Sequence, residues 1–163
     1  MRLEVERDKY FLYANQDYCK NMDFNSKESI ASYAKTLVLR LKRIYGIVLQ
    51  GFYQMKVFVN DCVGMFIELV KLDDFEFELM TIDLKVIIFL HQTFLLQCTD
   101  LDFFEHFSSV YFRAPYYYGV LQKDEFVLPC LEYGKLIYGP AVDEVLQKGI
   151  LLKQNNIGHK SHL

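Results

Sequence analysis

The chain has 163 residues, of which 52% are hydrophobic and 16% aromatic, with 3 prolines and 8 glycines. This composition excludes an intrinsically disordered, collagen-like or low-complexity protein, because those classes lack the apolar residues that build a core. The longest stretch without a formal charge, residues 86–99, is too short to cross a bilayer as a helix. The first residues lack the apolar run of a secretory signal, so we expect a cytoplasmic protein with no membrane partner.

Charge is distributed unevenly along the sequence. Residues 1–72 carry 11 Lys and Arg and 8 Asp and Glu, a net charge of +3, whereas residues 73–163 carry 7 and 13, a net charge of −6. Neither part is basic enough to indicate a nucleic-acid partner. The difference predicts two modules with different surfaces.

The four cysteines are far apart in the sequence and form no C-x-x-C pair. A disulfide framework needs a secretory context, and none is apparent. We therefore predict reduced thiols that are mostly buried.

Periodicity in residues 1–71 predicts an N-terminal α/β module. Asn25 and Glu28 have the spacing of a capping box, and Gly46 is suited to end the helix that follows. The predicted elements in chain order are strands at residues 3–6 and 10–13, the helix between Asn25 and Gly46, and a β-hairpin of residues 52–59 and 64–71.

The segment 72–83 contains five acidic residues and no Lys or Arg. Its change in composition predicts the junction between two modules. On this prediction the N-terminal module is residues 1–71 and the C-terminal module is residues 84–163.

The C-terminal module has its own predicted helices and strands, followed by a polar end at residues 153–163. The elements are strands at residues 84–90 and 93–98, a short helix at 101–107, a hairpin of 110–113 and 116–121, a strand at 134–138 and a helix at 140–148. We therefore predict an α+β protein built from two small modules, each with a helix on an antiparallel sheet.

The densest polar cluster in the sequence consists of Asp100, Asp102, Glu105 and His106. These side chains could serve as metal ligands or as catalytic groups, but their spacing matches no known metal motif. Asp100 and Asp102 also suit the start of a helix electrostatically, which favours a capped amphipathic helix. We predict no metal here.

Other candidates for chemistry are weaker. His159 and His162 have no second pair of ligands nearby, which a four-ligand site would need. The sequence has no nucleotide-binding glycine motif and no nucleophile elbow. We predict no catalytic residue and no cofactor.

Aromatic residues are concentrated in the predicted hairpin, where Tyr116, Tyr117 and Tyr118 follow one another. Alternation along a strand places some of these rings on an outward face. Tyrosine is enriched at protein interfaces, so the sequence leaves a partner-binding surface and a covered core as equal alternatives.

Two stretches resemble the MecA family of adaptor proteins. Residues 131–148 contain Glu-Tyr-Gly-Lys at 132–135 followed by a final helix, which is similar to the C-terminal end of that family. Residues 94–121 are similar to the strand, acidic-aromatic helix and Tyr-rich hairpin that precede it, and residues 51–57 with 64–71 resemble the family's N-terminal hairpin.

The resemblance implies a bacterial adaptor whose N-terminal domain holds a substrate protein and whose C-terminal domain docks on a Clp-type AAA+ unfoldase. Glu132 falls within the matching motif. The residues that we expect at the docking surface are Asp100, Asp102, Glu105, Tyr116, Tyr117, Tyr118 and Glu132.

Two alternatives remain open. The junction at 72–83 is shorter than the linker of MecA proteins, which favours a regulatory or structural domain of the same fold that lacks unfoldase binding. An enzyme would instead need the residues from Asp100 to His106 to converge in a pocket.

Overall fold

The structure is a computed structural model, and it describes residues 1–72, 82–123 and 127–154. The chain divides into a first unit, Met1–Gln92, and a second unit, Thr93–Leu163. The predicted α+β class is confirmed, because each unit contains a five-stranded sheet together with helices.

The first unit contains a sheet in the order β1-β2-β4-β3-β5, with two helices between β2 and β3. All pairs are antiparallel except β3 and β5, which are parallel. The elements are β1 (Arg2–Glu6), β2 (Lys9–Ala14), a 3₁₀ helix (Gln16–Cys19), α1 (Lys27–Leu39), α2 (Leu41–Tyr45), β3 (Gly51–Asn60), β4 (Gly64–Lys71) and β5 (Ile82–Phe89).

The core of the first unit lies between α1 and one face of the sheet. Apolar residues at helical spacing on α1, such as Ile30 and Ala34, meet alternate residues of β3 and β4, such as Val57 and Ile67. The helix begins after Ser26, whose hydroxyl accepts a hydrogen bond from the Ser29 amide at 3.2 Å. Ser26 therefore caps the helix in place of the predicted Asn25.

The helical segment also ends differently from its prediction. It breaks at Arg40 into two helices, although the predicted terminator Gly46 does adopt the left-handed conformation, with φ of 68°. At the break, the Arg40 amide is shared among the carbonyl oxygens of Thr36, Leu37 and Val38, as is common at helix termini.

The placement of β5 corrects the predicted module boundary. This strand was expected to open the C-terminal module, but it pairs with β3 over eight positions and packs Leu84 and Val86 against the first core. The units divide between Gln92 and Thr93 instead of at 72–83, of which 73–81 lie outside the described residues.

The second unit contains an antiparallel sheet in the order β10-β7-β8-β6-β9. The helix α4 packs on one face through Val142 and Val145, and a 3₁₀ helix packs on the other through Phe104. The elements are β6 (Leu95–Cys98), the 3₁₀ helix (Leu101–Phe104), β7 (Ser109–Arg113), β8 (Tyr116–Val120), α3 (Val127–Leu131), β9 (Lys135–Ile137), α4 (Pro140–Lys148) and β10 (Ile150–Gln154).

Candidate protein-binding site

Three of the four predicted docking carboxylates lie within the 3₁₀ helix of the second unit or at its two ends. Asp100 is its N-cap and accepts a hydrogen bond of 3.0 Å from the Asp102 amide, as the helix-cap interpretation predicted. Asp102 and Glu105 are exposed, whereas Phe104 between them is buried. The apolar side chain thus fixes the turn while its acidic neighbours face solvent.

Gly119 on β8 allows the 3₁₀ helix to approach the sheet closely. A Cβ atom at Gly119 would lie 2.5 Å from ring carbons of both Phe104 and Phe107. These two rings contact each other edge to face, with centroids 5.0 Å apart. The packing of these two rings on Gly119, which has no side chain, therefore sets the position of Asp102 and Glu105.

The residue that follows Glu132 contacts the same helix. The ring of the following residue, Tyr133, is 71% exposed and its centroid is 6.1 Å from that of Phe103. The Tyr133 carbonyl oxygen also accepts a contact of 3.9 Å from the Cys98 thiol. These contacts place Tyr133 beside the 3₁₀ helix, and the residue before it in the sequence, Glu132, is exposed.

The three consecutive tyrosines do not form one surface, because alternate strand residues face opposite sides of the sheet. Tyr118 is only 7% exposed, packs in the core with α4 and accepts a hydrogen bond of 3.1 Å from Gln97. Tyr117 is half-buried beside Phe112. Only Tyr116 is exposed, so Tyr118 is wrongly included in the predicted docking surface.

A groove of about 520 Å³ lies between the 3₁₀ helix and β10, and we call it the acidic groove. Its apolar part is formed by Leu101, Phe104, Val110 and Leu152, and its polar part by Asp102, Glu105 and Lys153. The predicted residues Asp102 and Glu105 thus share one cavity with a strand that the sequence prediction missed.

The carboxylates of the acidic groove have no ionic partner within the described residues. The ion pairs found there join Arg2 to Glu4, and Arg113 and Lys148 to Glu144. Arg113 beside Glu144 lowers the pKa of that carboxyl, first by a hydrogen bond and then by its charge. The cation of the groove, Lys153, donates its hydrogen bond to the main-chain carbonyl oxygen of Glu105 and makes no ion pair with the carboxylates of Asp102 and Glu105 in the described residues.

The net charge of the second unit is smaller than the sequence division implied. Residues 93–163 carry 6 Lys and Arg and 8 Asp and Glu, a net charge of −2, and residues 1–92 carry 12 and 13, a net charge of −1. The predicted contrast of +3 and −6 came from counting the acidic segment 73–83 with the wrong unit. The acidic character of the groove is therefore local.

A separate groove of about 440 Å³ lies in the first unit, and we call it the basic groove. It is bordered by the end of α1, the start of α2, the residues before β3 and the first residue of β5. Leu39 and Val48 are exposed beside it, and Lys42 contributes its charge. The two units thus each have an apolar groove, one edged by two carboxylates and a lysine and the other by a single lysine.

The cysteines differ from the prediction that most are buried. Cys19 and Cys130 are buried, Cys98 is half-buried and Cys62 is exposed, and all four are free. Burial raises the pKa of Cys19 to about 12 and also raises the pKa of Cys130 and Cys62. A raised pKa disfavours the thiolate that a nucleophile would need.

The described ranges contain neither a cluster of candidate metal ligands nor a membrane-spanning helix. No group of three or more His, Cys, Asp or Glu side chains there is arranged to hold a metal ion. His159 and His162 lie outside those ranges. In the same part of the chain, no helix combines the length and apolar character needed to span a bilayer.

No protein-family model, curated protein or solved structure matches the chain. Its function has to be argued from its own residues, above all from the acidic groove and the strand beside it.

Proposed function

We propose that the protein is a non-enzymatic adaptor of the MecA type, which binds a substrate protein and delivers it to a Clp-type AAA+ unfoldase. The observation that carries this proposal is the acidic groove, where an apolar surface lies beside Asp102 and Glu105. Such a surface suits a protein partner, because apolar area supplies affinity while charges at the edge guide association and specificity.

Two binding surfaces on separate units support an adaptor function. The basic groove of the first unit and the acidic groove of the second favour partners of opposite charge. When one chain binds two proteins together, each raises the effective concentration of the other, so weak contacts suffice for delivery. We assign the substrate to the first unit and the unfoldase to the second, as the family resemblance implies.

A cytoplasmic location is part of the proposal. Clp-type unfoldases use ATP, which is a cytoplasmic substrate, and all four cysteines of this chain are free thiols. Free thiols are typical of a reducing compartment.

The direct test uses the purified full chain, a purified Clp-type unfoldase and fluorescence anisotropy of the labelled chain. We expect saturable binding that weakens as salt increases, because exposed charges are screened. Glu132→Lys and Asp102→Asn should both weaken binding, most strongly at low salt, without changing the circular dichroism spectrum. Glu6→Lys on β1 of the first unit is the matched control, since it reverses an equally exposed carboxylate.

Absence of saturable binding at low salt would overturn the unfoldase assignment. Equal weakening by Glu6→Lys and Glu132→Lys would show that only net charge matters, and would overturn the assignment of the docking surface.

A further inference from the structure

Four strands of the described residues pair on one side only, and three of them carry features that discourage further pairing. These edge strands are β1, β5, β9 and β10. The strand β1 has Arg2, Glu4 and Glu6, β5 begins with the exposed charges Asp83 and Lys85, and β9 has only three residues. Charges and short length are the usual means by which sheet edges avoid unwanted partners.

The edge strand β10 has five residues and begins without a charged side chain. Its first three residues are aliphatic and exposed, with Ile150 at 63%, Leu151 at 44% and Leu152 at 47%. Its single charged side chain, Lys153, is half-buried and hydrogen-bonded to the Glu105 carbonyl oxygen at 2.7 Å. An exposed aliphatic edge of this kind is suited to pair with another strand.

A β-bulge gives β10 a second property. Its pairing with β7 shifts register between Leu151 and Lys153, so Leu152 has no partner on β7. Bulges redirect side chains and are common beside functional sites. Here Leu152 lines the acidic groove, which connects the strand edge to the groove with its carboxylates.

We propose that the β10 edge binds an extended segment of a partner protein by β-strand addition. The segment has apolar side chains at alternate positions, and a Lys or Arg that reaches Asp102 or Glu105 in the acidic groove. Main-chain hydrogen bonds to β10 supply affinity, and the groove supplies selectivity for the side chains. The inference rests on the proposed adaptor function, because it names the way in which the second unit holds its partner.

Charge favours this occupant over a second copy of the chain. Pairing of β10 with its own copy about a twofold axis would bring two acidic grooves to one sheet, with Asp102 and Glu105 of each copy on the same side. Like charges brought together oppose association. A cationic segment instead gives each of these carboxylates an opposite charge.

The first measurement uses the full chain and a fluorescein-labelled peptide of about eight residues, the length of an ordinary strand. The peptide alternates valine with threonine and carries a lysine at each end. We expect saturable binding by anisotropy. Replacing both lysines by glutamate should weaken binding about tenfold or more, and N-methylating alternate amides on one edge should abolish it, since this removes main-chain donors while keeping the side chains.

Variants of the protein locate the site. Leu152→Lys places a charge on the β10 edge and should weaken peptide binding about tenfold. Ile44→Lys in the first unit is the matched control, because Ile44 is exposed to a similar extent at 50% and lies in neither groove, and should bind the peptide as the parent does. Circular dichroism and the urea midpoint establish that both variants are folded.

Several results would overturn the inference. They are equal binding of the N-methylated and unmodified peptides, unchanged binding by Leu152→Lys, or dimerisation of the free chain that Leu152→Lys abolishes. The inference and the adaptor proposal fail separately: peptide binding without unfoldase binding refutes only the adaptor, and unfoldase binding that Leu152→Lys leaves intact refutes only strand addition.

Discussion

The ammonium group of Lys153 donates a hydrogen bond of 2.7 Å to the main-chain carbonyl oxygen of Glu105, 48 positions earlier in the chain. Glu105 is the C-cap of the 3₁₀ helix, where carbonyl oxygens lack partners within the helix. The bond therefore joins β10 to the end of that helix across the acidic groove, and it removes the one charge on β10 from the strand edge.

Replacement of Lys153 by methionine should lower the free energy of unfolding of the second unit by about 0.5–1.5 kcal/mol, because the hydrogen bond is lost while the apolar stem is kept. Urea unfolding followed by tyrosine fluorescence measures this change. Lys135→Met on β9 is the control, since Lys135 is exposed and its ammonium group makes no hydrogen bond or ion pair within the described residues. Equal losses in the two variants would contradict a specific role for the Lys153 bond.

Gly119→Ala should destabilise the second unit by about 1–3 kcal/mol, because the added methyl group would overlap the rings of Phe104 and Phe107. The urea midpoint measures the loss. Adding Phe107→Leu should recover part of the stability, since residues in contact are not additive. A double variant that loses the full sum of the two single losses would argue against this contact.

The pH dependence of the first unit should report the buried thiol of Cys19. Its pKa is raised from 9.0 to about 12 by burial, so the unfolded chain releases the proton first as pH rises. The stabilising contribution is therefore complete below about pH 9 and declines between about pH 9 and pH 12.

Comparison with Cys19→Ala isolates this effect, because other titrating groups are common to both proteins. The variant should be less stable than the parent near neutral pH, because the missing thiol leaves a small cavity. The difference in the free energy of unfolding between the two proteins should become smaller as pH rises, because only the parent loses the contribution of the protonated thiol. Urea unfolding at several pH values measures it. Cys98→Ala serves as the control, since Cys98 is less buried and lies in the second unit, and a similar slope for both variants would refute the assignment to burial.

Local patterns in the sequence predicted most strands of the fold. The hairpin of β3 and β4 was predicted almost to the residue, because alternation and the glycine at the start of each strand are local signals. Asp100 and Pro140 marked two helix starts for the same reason. Two strands were predicted incorrectly. The strand β5 was found but assigned to the wrong unit. The strand β10 was missed because Ile150, Leu151 and Leu152 show no alternation of apolar and polar residues.

Both errors concern the placement of a strand in a sheet, which the periodicity of the sequence does not specify. An apolar strand such as β5 fits the edge of either sheet, and only its register with β3 decides between them. The docking residues show the same limit. Asp102 and Glu105 were found from composition, but their position beside Leu152 and the burial of Tyr118 depend on the tertiary fold.

The boundary between the units provides a final prediction. A fragment of residues 1–92 keeps all five strands of the first sheet, whereas a fragment of residues 1–72 lacks β5. Four aliphatic side chains of β5 pack on the first core, and they are Ile82, Leu84, Val86 and Ile88. Burying an aliphatic side chain stabilises a protein by about 1.5–3 kcal/mol, so even half of that for each partly buried residue is comparable with a total stability of about 5–15 kcal/mol.

We therefore expect fragment 1–92 to unfold cooperatively in urea and fragment 1–72 to show no cooperative transition. The Asn60 side chain adds to the difference, because its amide donates a hydrogen bond of 2.8 Å to the carbonyl oxygen of Gln92 at the end of the longer fragment. Lys85→Met in fragment 1–92 is the control, since it changes an exposed residue of β5 without touching the core. Cooperative unfolding of fragment 1–72 with a midpoint equal to that of fragment 1–92 would restore the boundary predicted at 72–83, because it would show that β5 is not needed to complete the first core.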